Sequence, residues 1–162
     1  MKKLVLICIL AVGVSFGNNF SQAIKEICGN VPLSQCIDFY KKQCSAGKMI
    51  HCGFAGMLYV RHDIYKARRY YKMACDRINL KDDAYEMQTA DNKRFKYNFD
   101  SIKYAKSKFC YNFAVTYRDN LKDIEKDFNI VLNATRSACN LGDSKACDVI
   151  QRAEQLARQR RR

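Results

Sequence analysis

The sequence has few chain-breaking residues: one proline and seven glycines in 162 positions, with no tryptophan. A β-sandwich needs many tight turns, so this scarcity argues against one and favours helices. There are only two histidines, His51 and His62, and no Cys-x-x-Cys pair. A zinc site is therefore a poor reading, and neither metal nor cofactor is expected. Acidic residues are also sparse, 16 against 29 Lys and Arg, giving a net charge of +13. No apolar run reaches the ~20 residues of a membrane-spanning helix, so no transmembrane segment is expected in the mature chain. The length excludes a large multidomain enzyme but suffices for one domain with a real core. A hydrophobic share of 48% excludes a disordered polycation.

What is present begins with an export signal. Met1-Lys2-Lys3 is a short basic start, Leu4 to Phe16 is mostly apolar, and Ser15-Phe16-Gly17 supplies small residues for a signal peptidase. Cleavage is expected after Gly17, with Ser15 as the alternative end, which assigns residues 1–17 to a signal peptide. The mature protein is then expected to be exported, periplasmic or secreted. Lys2 and Lys3 leave with the signal, taking +13 to +11.

Export changes the meaning of the cysteines. Cys8 is removed, leaving Cys28, Cys36, Cys44, Cys52, Cys75, Cys110, Cys139 and Cys147, an even number in a compartment that permits oxidation. Eight cysteines allow 105 connectivities. Three neighbouring pairs share a spacing of eight, 28 with 36, 44 with 52 and 139 with 147, which points to pairing in chain order.

The segments between are helical in pattern. Asp63 to Asp76 places Ile64, Ala67, Tyr70, Tyr71 and Ala74 at three- and four-residue intervals, with Asp63 as a cap. Asp123 to Cys139 predicts a second helix with Ile124, Phe128, Val131, Leu132, Thr135 and Ala138 on one stripe. Ser45-Ala46-Gly47-Lys48 and Asn140-Leu141-Gly142-Asp143 read as polar turns. Cysteines eight apart across such a turn would cross-link a helical hairpin. A repeat emerges as well. Cys52 to Tyr59 aligns with Cys110 to Tyr117, and each is followed by an amphipathic helix ending in Ala-Cys, at Ala74-Cys75 and Ala138-Cys139.

These residues resemble the Sel-one-like repeat, and in particular the Helicobacter cysteine-rich proteins. Lys66-Ala67-Arg68-Arg69-Tyr70-Tyr71-Lys72-Met73-Ala74-Cys75-Asp76 is similar to that family's K-A-x-x-Y-Y-x-K-A-C-D. Cys52, Gly56 and Tyr59 resemble its C-x-x-L-G-x-L-Y, and Ala138 to Asp148 resembles the end of a family chain. The resemblance covers about Cys44 to Gln155. It implies an all-α fold, a short α/α solenoid of TPR-like helix-turn-helix repeats with one disulfide per repeat. The expected organisation is a single domain over 18–162. An N-terminal helical cap occupies 18–43, a repeat 44–76, an insertion 77–100, a second repeat 101–139, a capping helix 140–157 and a basic tail 158–162. The chain departs from the pattern at Tyr59 to Asp63, where a glycine-free link replaces a glycine-bearing turn, and Arg118 to Lys122 lacks glycine too. The next cysteine after Cys75 is Cys110, so 77–100 is read as an insertion, with Asp82-Asp83-Ala84 able to cap a short extra helix.

The resemblance implies two functions. Most such solenoids are binding scaffolds for proteins or peptides. Some cysteine-rich members are described as penicillin-binding proteins with weak β-lactamase activity, which would make a β-lactam or a peptidoglycan fragment the ligand. A serine β-lactamase needs Ser-x-x-Lys with Ser-Asp-Asn and Lys-Thr-Gly. Ser45-Ala46-Gly47-Lys48 matches the first, making Ser45 and Lys48 the catalytic candidates, and neither of the others occurs. In a turn, small and charged residues are ordinary. Tyr59, Tyr70, Tyr71, Phe113, Tyr117 and Phe128 are read as core. Tyr85, Phe95, Tyr97, Phe99 and Tyr104, in or beside the insertion, are candidates for exposed contacts. His51 and His62 are read as surface residues. Arg158, Arg160, Arg161 and Arg162 form a basic tail suited to an anionic envelope or host ligand, or an acidic partner protein, more than to nucleic acid, which an exported protein seldom meets.

Overall fold

The computed structural model describes residues 18–81, 84–117 and 121–159. The predicted signal peptide, Asp82, Asp83, Arg118 to Asn120 and the last three arginines lie outside them. Among the described residues there are eight helices: α1 (Asn18–Cys28), α2 (Leu33–Ser45), α3 (Met49–Tyr59), α4 (Ile64–Arg77), α5 (Phe99–Val115), α6 (Leu121–Lys126), α7 (Phe128–Asn140) and α8 (Ser144–Gln159). Two strands, β1 (Ala84–Gln88) and β2 (Arg94–Asn98), lie between α4 and α5.

Helix limits follow from local chemistry. Asp63 caps α4, its carboxylate accepting from Lys66 N at 3.0 Å, and Ala67, Tyr71, Ala74 and Cys75 form the buried stripe. Asn98 caps α5 in the same way through Ser101 N at 2.9 Å. Between α2 and α3 the chain reverses at Gly47 (φ 87°), and between α7 and α8 at Gly142 (φ 98°), both in the left-handed region that a side chain disfavours. Asp143 then caps α8 by accepting from Ala146 N at 3.0 Å.

These turns explain the cysteine spacing. Cys44 and Cys139 each stand in the last turn of a helix, three residues before the left-handed glycine, and their partners fall in the first turn of the next helix. The bridges are Cys28–Cys36, Cys44–Cys52, Cys75–Cys110 and Cys139–Cys147, with Cα separations of 5.5, 4.7, 4.7 and 4.6 Å. The eight cysteines are thus joined in chain order.

Consecutive helices pack on one another: α2 on α3, α3 on α4, α4 on α5, α5 on α7 and α7 on α8, while α3 also meets α5. Their shared core is continuous from Ile27 to Ala153. Gly53 lets α3 cross α5 closely, because a Cβ there would run into the Phe109 ring.

Two expectations are corrected. Among its described residues the 77–100 stretch holds no short extra helix: it forms an antiparallel β-hairpin, with Glu86 opposite Lys96 and Met87 opposite Phe95. Its alternation of apolar and polar residues has the two-residue period of a strand. The hairpin is docked, since Met87 and Thr89 are buried and Ala90 N donates to Ile27 O at 3.2 Å. The helix expected over 123–139 is interrupted at Asp127, which sits at φ −103° and ψ 19°. Its carboxylate accepts from Tyr117 Oη at 2.9 Å.

Candidate functional site

A concave surface of aromatic character lies where the hairpin meets the helices. On α5, Asp100 and Ser101, then Tyr104 and Ala105, then Lys108 and Phe109 follow one another at helical intervals and form one wall. Phe54 of α3 and Tyr97 of β2 complete a groove of about 530 Å³. Phe54 meets Phe109 edge to face, with centroids 5.6 Å apart. Tyr104 is 63% exposed, and Lys108 Nζ lies 5.2 Å from its ring centroid. The same ammonium donates to Asp143 Oδ2 at 2.7 Å, and the Asp143 side chain has no exposure. One carboxylate therefore caps α8 and ties it to α5.

A second cluster joins the two helix pairs. Arg68 on α4 donates to Asp123 Oδ2 at 2.8 Å and to Thr116 O at 3.0 Å, and its guanidinium lies 3.6 Å from the Tyr117 ring centroid. The geometry is a structural clamp, with Asp123, Thr116 and Tyr117 all inside the protein's own frame.

No family model, curated protein or solved structure matches this chain. The site therefore has to be read from its own chemistry.

Ser45 is the exposed last residue of α2, and Lys48 precedes α3. A nucleophile at a helix C-terminus faces carbonyl oxygens, whose partial negative charge opposes a developing alkoxide. The small cavity beside this turn, about 110 Å³, is lined by Gly47, Met49, Ile50, Arg77, Ile78, Asn79 and Ile102, and includes neither Ser45 nor Lys48. The two candidates share a turn and do not line that cavity.

His51 is not a surface residue. It is fully buried on α3, and its Nε2 stands 3.0 Å from Gln88 O of the hairpin. A carbonyl only accepts, so Nε2 carries the proton in the neutral ring. Burial holds its pKa down to about 4, with Lys48 adding to the depression and the Gln88 bond opposing it. Tyr40 stacks obliquely on it at 5.6 Å. The docked hairpin covers this position, a contact that residue type and helical periodicity could not reveal. His62 is exposed.

Of the aromatic residues read as core, Tyr71, Phe113, Tyr117 and Phe128 are buried, while Tyr59 and Tyr70 are half-buried and stacked 5.7 Å apart. Phe95, Phe99 and Tyr104 are exposed and Tyr97 is half-buried; nothing is described of the Tyr85 side chain. Arg158 is exposed and lies 3.9 Å from Glu154, and the rest of the basic tail falls outside the described residues. Among the described residues, no group of three or more His, Cys, Asp and Glu could hold a metal ion, and no helix is long and apolar enough to cross a membrane. Asp143 escaped the sequence reading, although an aspartate just before an apolar-periodic run is a recognisable capping signal.

Proposed function

We infer that the protein is an exported binding module, a short α/α solenoid of Sel-one-like repeats, that engages a protein or peptide partner. The observation that carries this reading is the aromatic groove built across α3, β2 and α5. Its lining is mostly aromatic and holds one carboxylate, the hydroxyls of Ser101, Tyr97 and Tyr104, and an ammonium already engaged by Asp143, a composition suited to recognition. The disulfides at the helix ends support the same reading, because a preorganised surface loses less entropy on binding. Four bridges in chain order and an even cysteine count after loss of Cys8 fit an oxidising, extracytoplasmic compartment.

The test is capture from cell-envelope and host extracts by immobilised, oxidised 18–162, with the reduced and alkylated protein as its control. The expected result is a partner retained by the oxidised protein alone and released by salt. Equal retention by both forms, or none by either, would contradict the reading.

A further inference from the structure

We propose that the β1–β2 hairpin is an acid-opened cover: protonation of His51 beneath it undocks the hairpin and leaves the cross-linked helices in place. The hairpin lies over α3, where His51 has no exposure and its Nε2 donates to Gln88 O at 3.0 Å. Among the described residues it is also anchored by the buried Met87 and Thr89, by Ala90 N donating to Ile27 O at 3.2 Å, and by Asp91 against Gly29. Its outer strand β2 is exposed apart from half-buried Tyr97. Opening spares the frame. The hairpin sits inside the loop that Cys75–Cys110 closes, so α4 and α5 stay joined at its base. When Ala90 leaves, Ile27 O still accepts from Tyr40 Oη at 3.0 Å, so no carbonyl is stranded. A lone two-stranded hairpin is marginally stable in water, so docking decides its order.

A charge on the ring cannot be hydrated while the hairpin lies over it, and undocking restores its water. Burial holds the ring neutral down to about pH 4, with the Gln88 bond opposing and Lys48 adding to the depression, whereas a solvated histidine protonates near ~6.5. The groups facing this region from each element are Phe39 and Tyr40 of α2, Lys48 before α3, Asp91 and Tyr97 of the hairpin, and Glu26 of α1. Burial raises the phenols of Tyr40 and Tyr97, and Lys93 and Thr89 hold Asp91 below the usual carboxylate range. None of these three changes charge as His51 does between pH 7 and 4. Glu26 acts on the hairpin through Tyr97, and its part is what remains in a His51→Gln protein. Because Tyr97 is a wall of the aromatic groove, the same opening takes the groove apart.

The experiment is amide hydrogen exchange by NMR on oxidised 18–162 from pH 7 to 3, corrected for the intrinsic pH dependence of exchange. Protection at Ala90 and through 84–98 should fall by about a hundredfold between pH 7 and 4, the factor set by a ring that protonates near 4 when covered and near ~6.5 when open. Tyr71 and Ala74 of α4 should lose far less over the same interval. His51→Gln should abolish most of the hairpin's pH dependence. Met87→Ala, which weakens docking and spares the ring, should raise opening at every pH with the same slope. Should His51→Gln not fold, the His51 ring resonance of the parent decides: it must titrate at the pH where the hairpin's loss of protection levels off. Equal loss in α4 and the hairpin, constant protection at 84–98, a pH dependence that survives His51→Gln, or a ring that titrates apart from the hairpin would overturn the proposal.

Discussion

Two side chains concentrate the residue-scale energetics. Arg68 spends its guanidinium on Asp123, the Thr116 carbonyl and the Tyr117 ring, with the side chain only 12% exposed. Arg68→Ala should lower stability by about 2–4 kcal/mol, read as a drop in urea midpoint with disulfides intact. Arg68→Lys should recover less than half, since an ammonium cannot reproduce the planar fork. His51 makes stability depend on pH. Its folded pKa, about 4, lies below the unfolded value of ~6.5, so the unfolded chain takes up the proton first. The stability it supports is complete above about pH 6.5 and falls as pH drops towards 4, by about 3 kcal/mol in all. His51→Gln should flatten that interval in unfolding curves; an unchanged slope would assign it elsewhere. The helix that carries Arg68 was visible in the sequence, yet its partners at Thr116 and Asp123 were not, because contacts across some fifty residues leave no periodic trace. His51 was misplaced for the same reason: the Gln88 carbonyl that covers it belongs to another element.

At the scale of elements, helices were legible wherever a cap and a stripe coincided. Asp63 and the Ala67–Tyr71–Ala74 spacing locate α4 closely. The stripe from Ile124 to Ala138 was also readable, since it stays buried on both sides of the break at Asp127. The break itself depends on Asp127 accepting from Tyr117, ten residues away. The stretch between α4 and α5 was given the wrong secondary structure, because two acidic residues before Ala84 look like a helix cap while the alternation after them belongs to a strand. Its turn is built by Thr89, which donates to Asp91 Oδ1 at 2.5 Å, and by Asn92 in the left-handed region. The α3–α5 crossing gives the sharpest test at this scale. Gly53→Ala would drive a methyl into the Phe109 ring and should destabilise by about 1–3 kcal/mol in thermal or urea unfolding. A neutral Gly53→Ala would mean that the crossing is looser than its geometry implies.

Across the whole molecule, the bridges act on a chain whose core is thin and shared between successive helices. On the chain-entropy model, each short loop is worth about 2.6 kcal/mol and the Cys75–Cys110 loop about 3.8. Together these rival the ~5–15 kcal/mol of a typical domain, so reduced protein should lose its fold. The order of reduction follows burial. Cys139 and Cys147 are half-buried, whereas the other six cysteines are buried. Stepwise dithiothreitol treatment with alkylation and peptide mapping should therefore label Cys139 and Cys147 first. First labelling at Cys75 and Cys110 would contradict this order. The pairing was readable because it is local, three of the four bridges closing over one turn; the groove was not, because it needs α3, α5 and the hairpin brought together.

The central proposal is that this molecule acts as a binding module, and turnover of a chromogenic β-lactam by oxidised 18–162, with Ser45→Ala beside it, tests that against the hydrolase alternative most directly. The account predicts a rate equal to the catalyst-free control for both proteins and no acyl adduct by intact-mass spectrometry. Turnover above control that disappears in Ser45→Ala would contradict it.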